Sequence, residues 1–270
     1  GCVCGWDVQP HHVETCRKVA REQLVGAGCP TETADELAAG WFRVGDFLLD
    51  VPPGLCADVV VGNPPYIRIE NLDPDLLAAY RRACPAMGGR ADVFIGFYDK
   101  ALDLLDDGGV LGFICADRWM HNDYGKKLRD KIVSGPFAMD TVVAMHDADA
   151  FEADVSAYPA VTVIGRGEQR DAVVASADAE FGAADVERFL DWIDRGDPHL
   201  VSEHVTASRM DDWYNTSASW PSGTPDMIAW LERLEETLPL IENAETGTRI
   251  GIGVATGADA VYVAREPHLP

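Results

Sequence analysis

The sequence has little positive charge, which bears on the kind of partner that the protein can bind. It carries 22 Lys and Arg against 45 Asp and Glu, a formal net charge of -23, and only five of the basic residues are lysines. Affinity for nucleic acid comes largely from neutralising phosphates, so a broadly basic DNA-binding face is excluded. The acids are dispersed, which is typical of a solvated surface in a salty cytoplasm where charges are screened. A nucleic-acid substrate and a chain that never touches nucleic acid both stay open.

The sequence also lacks clustered cysteines and long apolar runs. Its seven cysteines are scattered and odd in number, which favours reduced thiols over a disulfide framework. Cys2 and Cys4 stand without a second cysteine pair, so we predict no metal site. No apolar stretch approaches the roughly 20 residues of a membrane-spanning helix. We therefore expect a cytoplasmic protein without a membrane partner.

Apolar residues make up 47% of the sequence, and their spacing predicts an α/β fold. Buried strands alternate with amphipathic helices, which indicates a mostly parallel sheet with helices on both faces. The acidic and glycine-rich segment Asp106–Gly109 is predicted as a turn. We predict strands at residues 2–7, 41–44, 57–62, 110–115, 140–145 and 158–164, and helices at residues 10–24, 31–39, 92–105, 122–133, 186–193 and 226–238.

The segment Asn63-Pro64-Pro65-Tyr66 directly follows the predicted strand at residues 57–62. An Asn side-chain oxygen and a neighbouring backbone carbonyl can each accept one N–H of a base's exocyclic amine, which makes the amine lone pair available. The two prolines fix φ and donate no N–H, so the Pro64 carbonyl is held outward. Tyr66 offers a face on which an extruded base can stack. A Pro-rich turn without function is the alternative.

Together with its flanking segments, this tetrapeptide resembles amino-methylating DNA methyltransferases. The later segments make the chain similar to the gamma-class N6-adenine enzymes, of the kind found in type IIG restriction-modification enzymes. The resemblance implies a class I S-adenosylmethionine-dependent, Rossmann-like methyltransferase fold, with adenine in double-stranded DNA as substrate. The supporting segments are Gly45-Asp46-Phe47, Gly108–Cys115, Asp117–Met120, Asp123–Arg129 and Gly253–Asp259.

The resemblance also implies residues that bind S-adenosylmethionine. Asp7 matches the acid that accepts from the ribose hydroxyls, a role that suits a carboxylate at the end of a strand. Asp46 matches the acid that accepts from the adenine amine of the cofactor. Phe47 matches an apolar neighbour that packs on that adenine, and Phe97 matches an aromatic residue that closes the adenine pocket from the other side. Helix capping by Asp7, turn formation by Asp46 and ordinary core packing by Phe97 are the alternatives.

Two further sets of residues have two interpretations each. The resemblance implies a second aromatic residue stacked on the flipped base, and Phe151 is the candidate, with Tyr158 as the alternative. The basic segment 126–131 is predicted to be a solvated helix face, although lysines retained in so acidic a protein also suit a phosphate contact.

One family feature does not appear in the sequence. The Gly-rich loop after the first strand is absent, and the segment ending at Asp7 matches the second strand instead. We therefore expect a catalytic core at residues 1–168 that lacks its first strand. A partly helical connector at residues 169–245 and the start of a DNA target-recognition domain at residues 246–270 would follow. We expect a nuclease or specificity region in the same longer chain.

Two alternatives remain at this stage. Methyltransferases that act on a protein glutamine or a ribosomal RNA base use similar tetrapeptides, although segments 117–120 and 253–259 count against them. A non-catalytic fragment that serves only as a binding module is the second alternative, and the missing loop favours it.

Overall fold

The structure is a computed structural model, and it describes residues 3–146, 158–211, 214–220 and 223–251. The chain divides into two compact units, Gly1–Ile228 and Ala229–Pro270. The strands and nearly all of the helices belong to the first unit, so the fold is described from that unit.

The unit opens with a small two-stranded parallel sheet and two helices. Strand β1 (Gly5–Asp7) pairs with β2 (Phe42–Val44), and helices α1 (Pro10–Gly26) and α2 (Thr31–Trp41) connect them. Pro10 stands at the first position of α1, where its missing N–H leaves no bond unmade. This part confirms the predicted order of elements.

The main sheet has seven strands in the order β3-β4-β6-β5-β7-β9-β8. Five of them point the same way and β6 and β9 run opposite, so that only the pairs β3–β4 and β5–β7 are parallel neighbours. The elements are β3 (Ala57–Gly62), α3 (Pro74–Ala83), α4 (Val93–Leu104), β4 (Leu105–Ala116), α5 (Lys126–Ser134), β5 (Phe137–Ala144), β6 (Pro159–Arg166), β7 (Ala172–Ala177), α6 (Ala183–Arg195), β8 (His199–Val201), β9 (Val205–Met210) and α7 (Pro225–Thr237).

The two largest differences between the predicted and the observed boundaries are at the starts of β4 and α5. Segment Asp106–Gly109 is part of β4 because Leu105 already pairs with Ala57, and an irregularity in the β3–β4 register absorbs the acidic residues. Gly108 adopts a left-handed φ of 76° there, which glycine tolerates. Helix α5 begins at Lys126 and not at Asn122, because a short 3-10 turn precedes it.

The predicted connector contributes to the same sheet. Strand β7 pairs with β5, and β9 and β8 continue the sheet beyond it. The boundary predicted at residue 168 therefore lies inside the first compact unit. The predicted recognition segment from residue 246 lies largely outside the described residues.

The core between the sheet and helices α3, α4 and α5 is aromatic and aliphatic. Trp119, Tyr98 and Leu111 are each fully buried in it. The ring of Tyr98 lies 5.0 Å from that of Phe113 and 5.2 Å from that of Trp119. Across the described residues, no helix combines the length and the apolarity that crossing a membrane requires.

Candidate active site

The tetrapeptide lies where β3 ends, at the carboxyl edge of the main sheet. Gly62 is the last residue of β3 and pairs with Phe113 of β4. Asn63 is exposed, Pro64 is buried, and Pro65 and Tyr66 are half-buried. Asn63 and Pro64 line a cleft of about 700 Å³ that runs along β3. The exposed amide and the fixed proline backbone therefore meet at the mouth of a cavity.

Tyr66 is held from behind by the neighbouring strand. Its ring packs against the main core, and its hydroxyl lies close to the thiol of Cys115 near the end of β4. Burial raises the pKa of Cys115 to about 12 and also raises the pKa of Tyr66, so both groups keep their protons at neutral pH. The position of the Tyr66 ring is thus set by the core.

The loop that follows the tetrapeptide is anchored to the start of α4. The Val93 N–H donates to the Ile67 carbonyl at 3.2 Å, and the Asp92 carboxylate accepts from the backbone N–H of Ile69. Burial, followed by the nearby Glu70, raises the pKa of Asp92. The helix start therefore fixes the chain on the far side of Tyr66.

A polar cluster lies next to the tetrapeptide on the same edge of the sheet. Asp117 follows β4 and is almost fully buried, and one of its carboxylate oxygens lies 2.6 Å from Nε2 of His146, which follows β5. The ring of Tyr158 lies 5.0 Å from the ring of His146 and 5.0 Å from the guanidinium carbon of Arg118. Tyr158, the alternative stacking residue, is thus in contact with His146 and Arg118. Phe151, the predicted stacking residue, lies outside the described residues.

The two predicted cofactor acids lie at the carboxyl ends of the small sheet. Asp7 accepts from the backbone N–H of Gln9 at 2.7 Å, and both of its carboxylate oxygens lie 3.3 Å from Nδ1 of His12. The Gly45 N–H donates to the Asp7 carbonyl at 3.0 Å, which brings the Asp46 turn next to β1. The alternative in which Asp7 caps a helix is met in part, because its side chain accepts from the backbone N–H of Gln9, the residue directly before α1.

Phe47 and Phe97 lie together in the wall of the same cleft. Their rings are stacked at 5.2 Å with an interplanar angle of 20°, and Trp6 meets Phe47 edge-on at 6.3 Å. Rings at this distance are in contact, so no base fits between them in this arrangement. A flat ring that entered the cleft would pack against this aromatic wall.

The cleft therefore joins two halves of the predicted site. Asn63, Pro64, Phe47 and Phe97 all line it together with residues of β3, whereas Asp7 and Asp46 lie next to its lining residues Trp6 and Phe47 in the chain without lining it themselves. Carboxylates at strand ends beside an aromatic wall suit a ribose and an adenine ring, so these residues fit the nucleoside part of S-adenosylmethionine. No element that suits the methionine part is found within the described residues.

The basic segment of α5 is occupied by partners within the domain. Arg129 is buried and donates to the carbonyls of Trp119, Asn122 and Ser217. Lys131 lies 2.6 Å from an Asp103 oxygen and also pairs with Asp99. The two remaining lysines, Lys126 and Lys127, bind Asp130 and the Pro85 carbonyl respectively. These contacts favour a structural role over the phosphate role.

Comparison with known proteins identifies the family. A model of the Eco57I restriction-modification methylase matches residues 57–151, which include the tetrapeptide and β4. The type II methyltransferase M.XhoI of Xanthomonas vasicola is 38% identical over 258 residues, covering 96% of this chain and 46% of the relative. M.PaeR7I of Pseudomonas aeruginosa is 40% identical over 239 residues, covering 87% and 40% respectively.

Residues 57–151 belong to an Eco57I restriction-modification methylase domain. The chain spans less than half the length of the curated relatives named above. The solved structure of the type IIG restriction endonuclease BpuSI matches with a TM-score of 0.52 at 15% identity, over 76% of this chain and 25% of that one. This family and fold confirm the predicted class I methyltransferase architecture.

Three contacts of the methylase site could not be expected from the sequence. Cys115 behind Tyr66, Asp92 beside the loop, and Tyr80 beside Asp46 all join residues that are far apart in the chain. The Asp73-Pro74 pair does signal the start of the helix that carries Tyr80, because Asp73 accepts from the N–H groups of the first turn. Nothing in the sequence signals what Tyr80 contacts.

Proposed function

We propose that this chain is the methyl-transferring part of a restriction-modification enzyme that modifies the N6 amine of a flipped-out adenine in double-stranded DNA. The position of Asn63 and Pro64 carries the proposal, because both line the same cleft as the aromatic pair Phe47 and Phe97. The family membership supports the DNA substrate, and the tetrapeptide chemistry supports an amine as the methyl acceptor.

The tetrapeptide residues act on the target base. The Asn63 side-chain oxygen and the Pro64 carbonyl accept the two hydrogens of the amine, which directs its lone pair into the cleft. The burial of Pro64 and the packing of Tyr66 against the core beside Cys115 hold this arrangement before the base arrives. The Tyr66 ring stacks on the base, with Phe151 as the proposed second stacking residue.

The cofactor residues hold and orient the methyl donor. S-adenosylmethionine supplies an electrophilic methyl group on sulfur when it is bound. Asp7 would accept from the ribose hydroxyls and Asp46 from the adenine amine, while Phe47 and Phe97 cover one face of the adenine. Holding donor and acceptor in line provides most of the rate enhancement, without a covalent enzyme intermediate.

We also propose that a further strand of the longer protein completes the catalytic core between β1 and β3. In the described part of the chain, these two strands have no partner on the edges that face the cleft, and Val59 and Val61 of β3 are exposed. An unpaired strand edge bordered by apolar side chains is a template for another strand. The predicted recognition segment from residue 246 and the fused nuclease or specificity region belong to the same proposal, whereas β7, β8 and β9 of the predicted connector are part of the main sheet.

The test of the activity uses the full-length protein expressed in a host that lacks other DNA methylation. Digestion of the host DNA to nucleosides and mass spectrometry should detect N6-methyladenine with the natural protein. Asn63→Ala should remove it, whereas Asn71→Ala, an exposed asparagine in the following loop, should leave it unchanged. N4-methylcytosine in place of N6-methyladenine, or equal methylation by the Asn63 variant, would contradict the proposal.

The same experiment separates the alternative functions. A methylated protein glutamine or ribosomal RNA base with unmodified DNA would identify a different acceptor. Unmodified DNA, protein and RNA together would identify a binding module without catalysis.

A further inference from the structure

The side chain of Asp46 is fixed by two donors of different kinds. Its Oδ1 accepts the Leu48 backbone N–H at 2.8 Å, and its Oδ2 accepts the hydroxyl of Tyr80 at 2.6 Å. A bond from one donor to each oxygen sets the plane of the carboxylate. Each oxygen can accept one further hydrogen bond, so Asp46 remains able to bind a ligand amine.

Tyr80 reaches Asp46 from a separate helix. It lies near the end of α3, with 8% of its surface exposed, and it packs in the main core. Burial and the bond to Asp46 raise the pKa of its hydroxyl, so the proton stays on Tyr80 and the bond keeps its direction. The contact therefore joins the small sheet, through its Asp46 turn, to the helices that cover the main sheet.

A carboxylate held in one plane distinguishes an amino group from a carbonyl oxygen on the ligand. It accepts a hydrogen bond from the amino group of a 6-amino purine, whereas the lone pairs of a 6-oxo purine repel it. A carboxylate that is free to rotate can turn away from the 6-oxo group or pick up water, so the distinction weakens. Discrimination of this kind is strong when a buried polar group would be left without its partner.

We propose that Tyr80 is a positioning residue that orients Asp46 toward the 6-amino group of the cofactor's adenine and so determines the preference for a 6-amino purine. This inference rests on the proposed function, because it takes Asp46 as the residue that binds that adenine. The alternative is that the contact only stabilises the packing of α3.

The experiment measures ligand binding by the full-length protein with isothermal titration calorimetry. The ligands are S-adenosylhomocysteine and its 6-oxo analogue S-inosylhomocysteine, which differ at the purine 6-position. The natural protein should bind the 6-amino ligand at least about 10-fold more tightly. Tyr80→Phe should weaken that ligand by about 10-fold and change the 6-oxo ligand by less than about 2-fold.

Tyr98→Phe is the matched control. It removes another buried tyrosine hydroxyl from the same core, but that hydroxyl is bonded to Thr162 at 2.7 Å and does not touch Asp46. It should leave the ratio of the two affinities unchanged. A general loss of packing would instead weaken both ligands equally in both variants.

The possible outcomes separate the inference from the proposed function. Binding of S-adenosylhomocysteine with the same affinity ratio in Tyr80→Phe overturns the inference and leaves the proposed function in place. Failure of the natural protein to bind S-adenosylhomocysteine overturns both. If Tyr80→Phe does not fold, site-specific 3-fluorotyrosine at position 80 keeps the packing. Its fluorine resonance should then shift on addition of the 6-amino ligand and not the 6-oxo ligand, and equal shifts would overturn the inference.

Discussion

In the part of the chain that the structure describes, one edge of β3 is paired with a strand and the other edge is unpaired. One edge pairs with β4 from Ala57 to Gly62, and the tetrapeptide that follows is fixed through Tyr66 and Cys115. The other edge faces the cleft, where Val59 is 64% and Val61 is 75% exposed and no strand of the described residues pairs with it. The edge of β3 toward β4 is therefore completed within the described residues, and the edge toward the cleft is not.

The largest predicted effect concerns helices α4 and α5, which enclose the main core. Lys131→Met would leave the Asp99 carboxylate, 3% exposed, with only the Ala86 N–H bond at 2.8 Å. We expect a loss of about 4 kcal/mol in the free energy of unfolding, since a buried charge without its partner is costly. Chemical denaturation measures it, and Lys126→Met, which breaks an exposed pair with Asp130, should cost under about 0.5 kcal/mol. Equal small losses would show that α4 and α5 do not depend on this pair.

The second prediction compares a buried residue of β4, the strand paired with one edge of β3, with an exposed residue of β3 beside its open edge. Leu111→Ala on β4 removes a fully buried side chain and should cost about 3 kcal/mol in the free energy of unfolding. Val61→Ala on the open edge should cost less than about 0.5 kcal/mol in the chain described here. In the full-length protein the cost of Val61→Ala should rise above about 1 kcal/mol, because the proposed strand covers it. An unchanged cost of Val61→Ala in the full-length protein would contradict the proposed strand.

A smaller effect is predicted for a hydrogen bond inside the main core. Tyr98→Phe leaves the buried Thr162 hydroxyl without its bond at 2.7 Å and should cost about 1 kcal/mol in the free energy of unfolding. Adding Thr162→Val should cost little more, since both polar partners are then gone. Strictly additive losses would mean that the two hydroxyls contribute independently.

The smallest effect is predicted for Asp92 and depends on pH. Burial, and then Glu70, raises the pKa of Asp92 in the folded state, so the folded protein binds this proton more tightly than the unfolded chain. The resulting stabilisation is fully present below the unfolded value of about 4 and is lost as the pH rises through the folded pKa. Asp92→Asn, which keeps an acceptor for the Ile69 N–H, should therefore have a higher Tm than the natural protein at pH 7. The two Tm values should converge below about pH 4, and a lower Tm of the variant at pH 7 would contradict the prediction.

The sequence predicts those parts of the fold whose signals are local. The apolar run at residues 57–62 followed by two prolines is enough to place the tetrapeptide at the end of a strand. Strand β7 went unpredicted because its alanines give neither a strong strand preference nor an alternating pattern. Helix α3 went unpredicted because most of its apolar residues form one continuous run, Leu76–Tyr80, without the spacing of an amphipathic helix, although Asp73-Pro74 is a clear start signal.

The contacts around the site depend on residues that are distant in sequence. Tyr80 and Asp46 are 34 positions apart, and Lys131 and Asp99 are 32 positions apart. The charge of a lysine cluster is visible in the sequence, but its partners are decided by how α4 and α5 pack. For this reason the sequence predicts a solvated helix face with a phosphate contact as the second interpretation, whereas in the structure Arg129 is buried and the lysines bind partners within the domain.

The unpaired edge of β3 also offers a place at which the protein can be controlled from outside. A synthetic peptide that supplies the complementary strand in trans would join the two sheets, in the way that split reporter proteins are reassembled. Under the proposed function, DNA methylation would then depend on peptide concentration. Binding of the peptide at the β3 edge beside Val59 and Val61 would activate the enzyme.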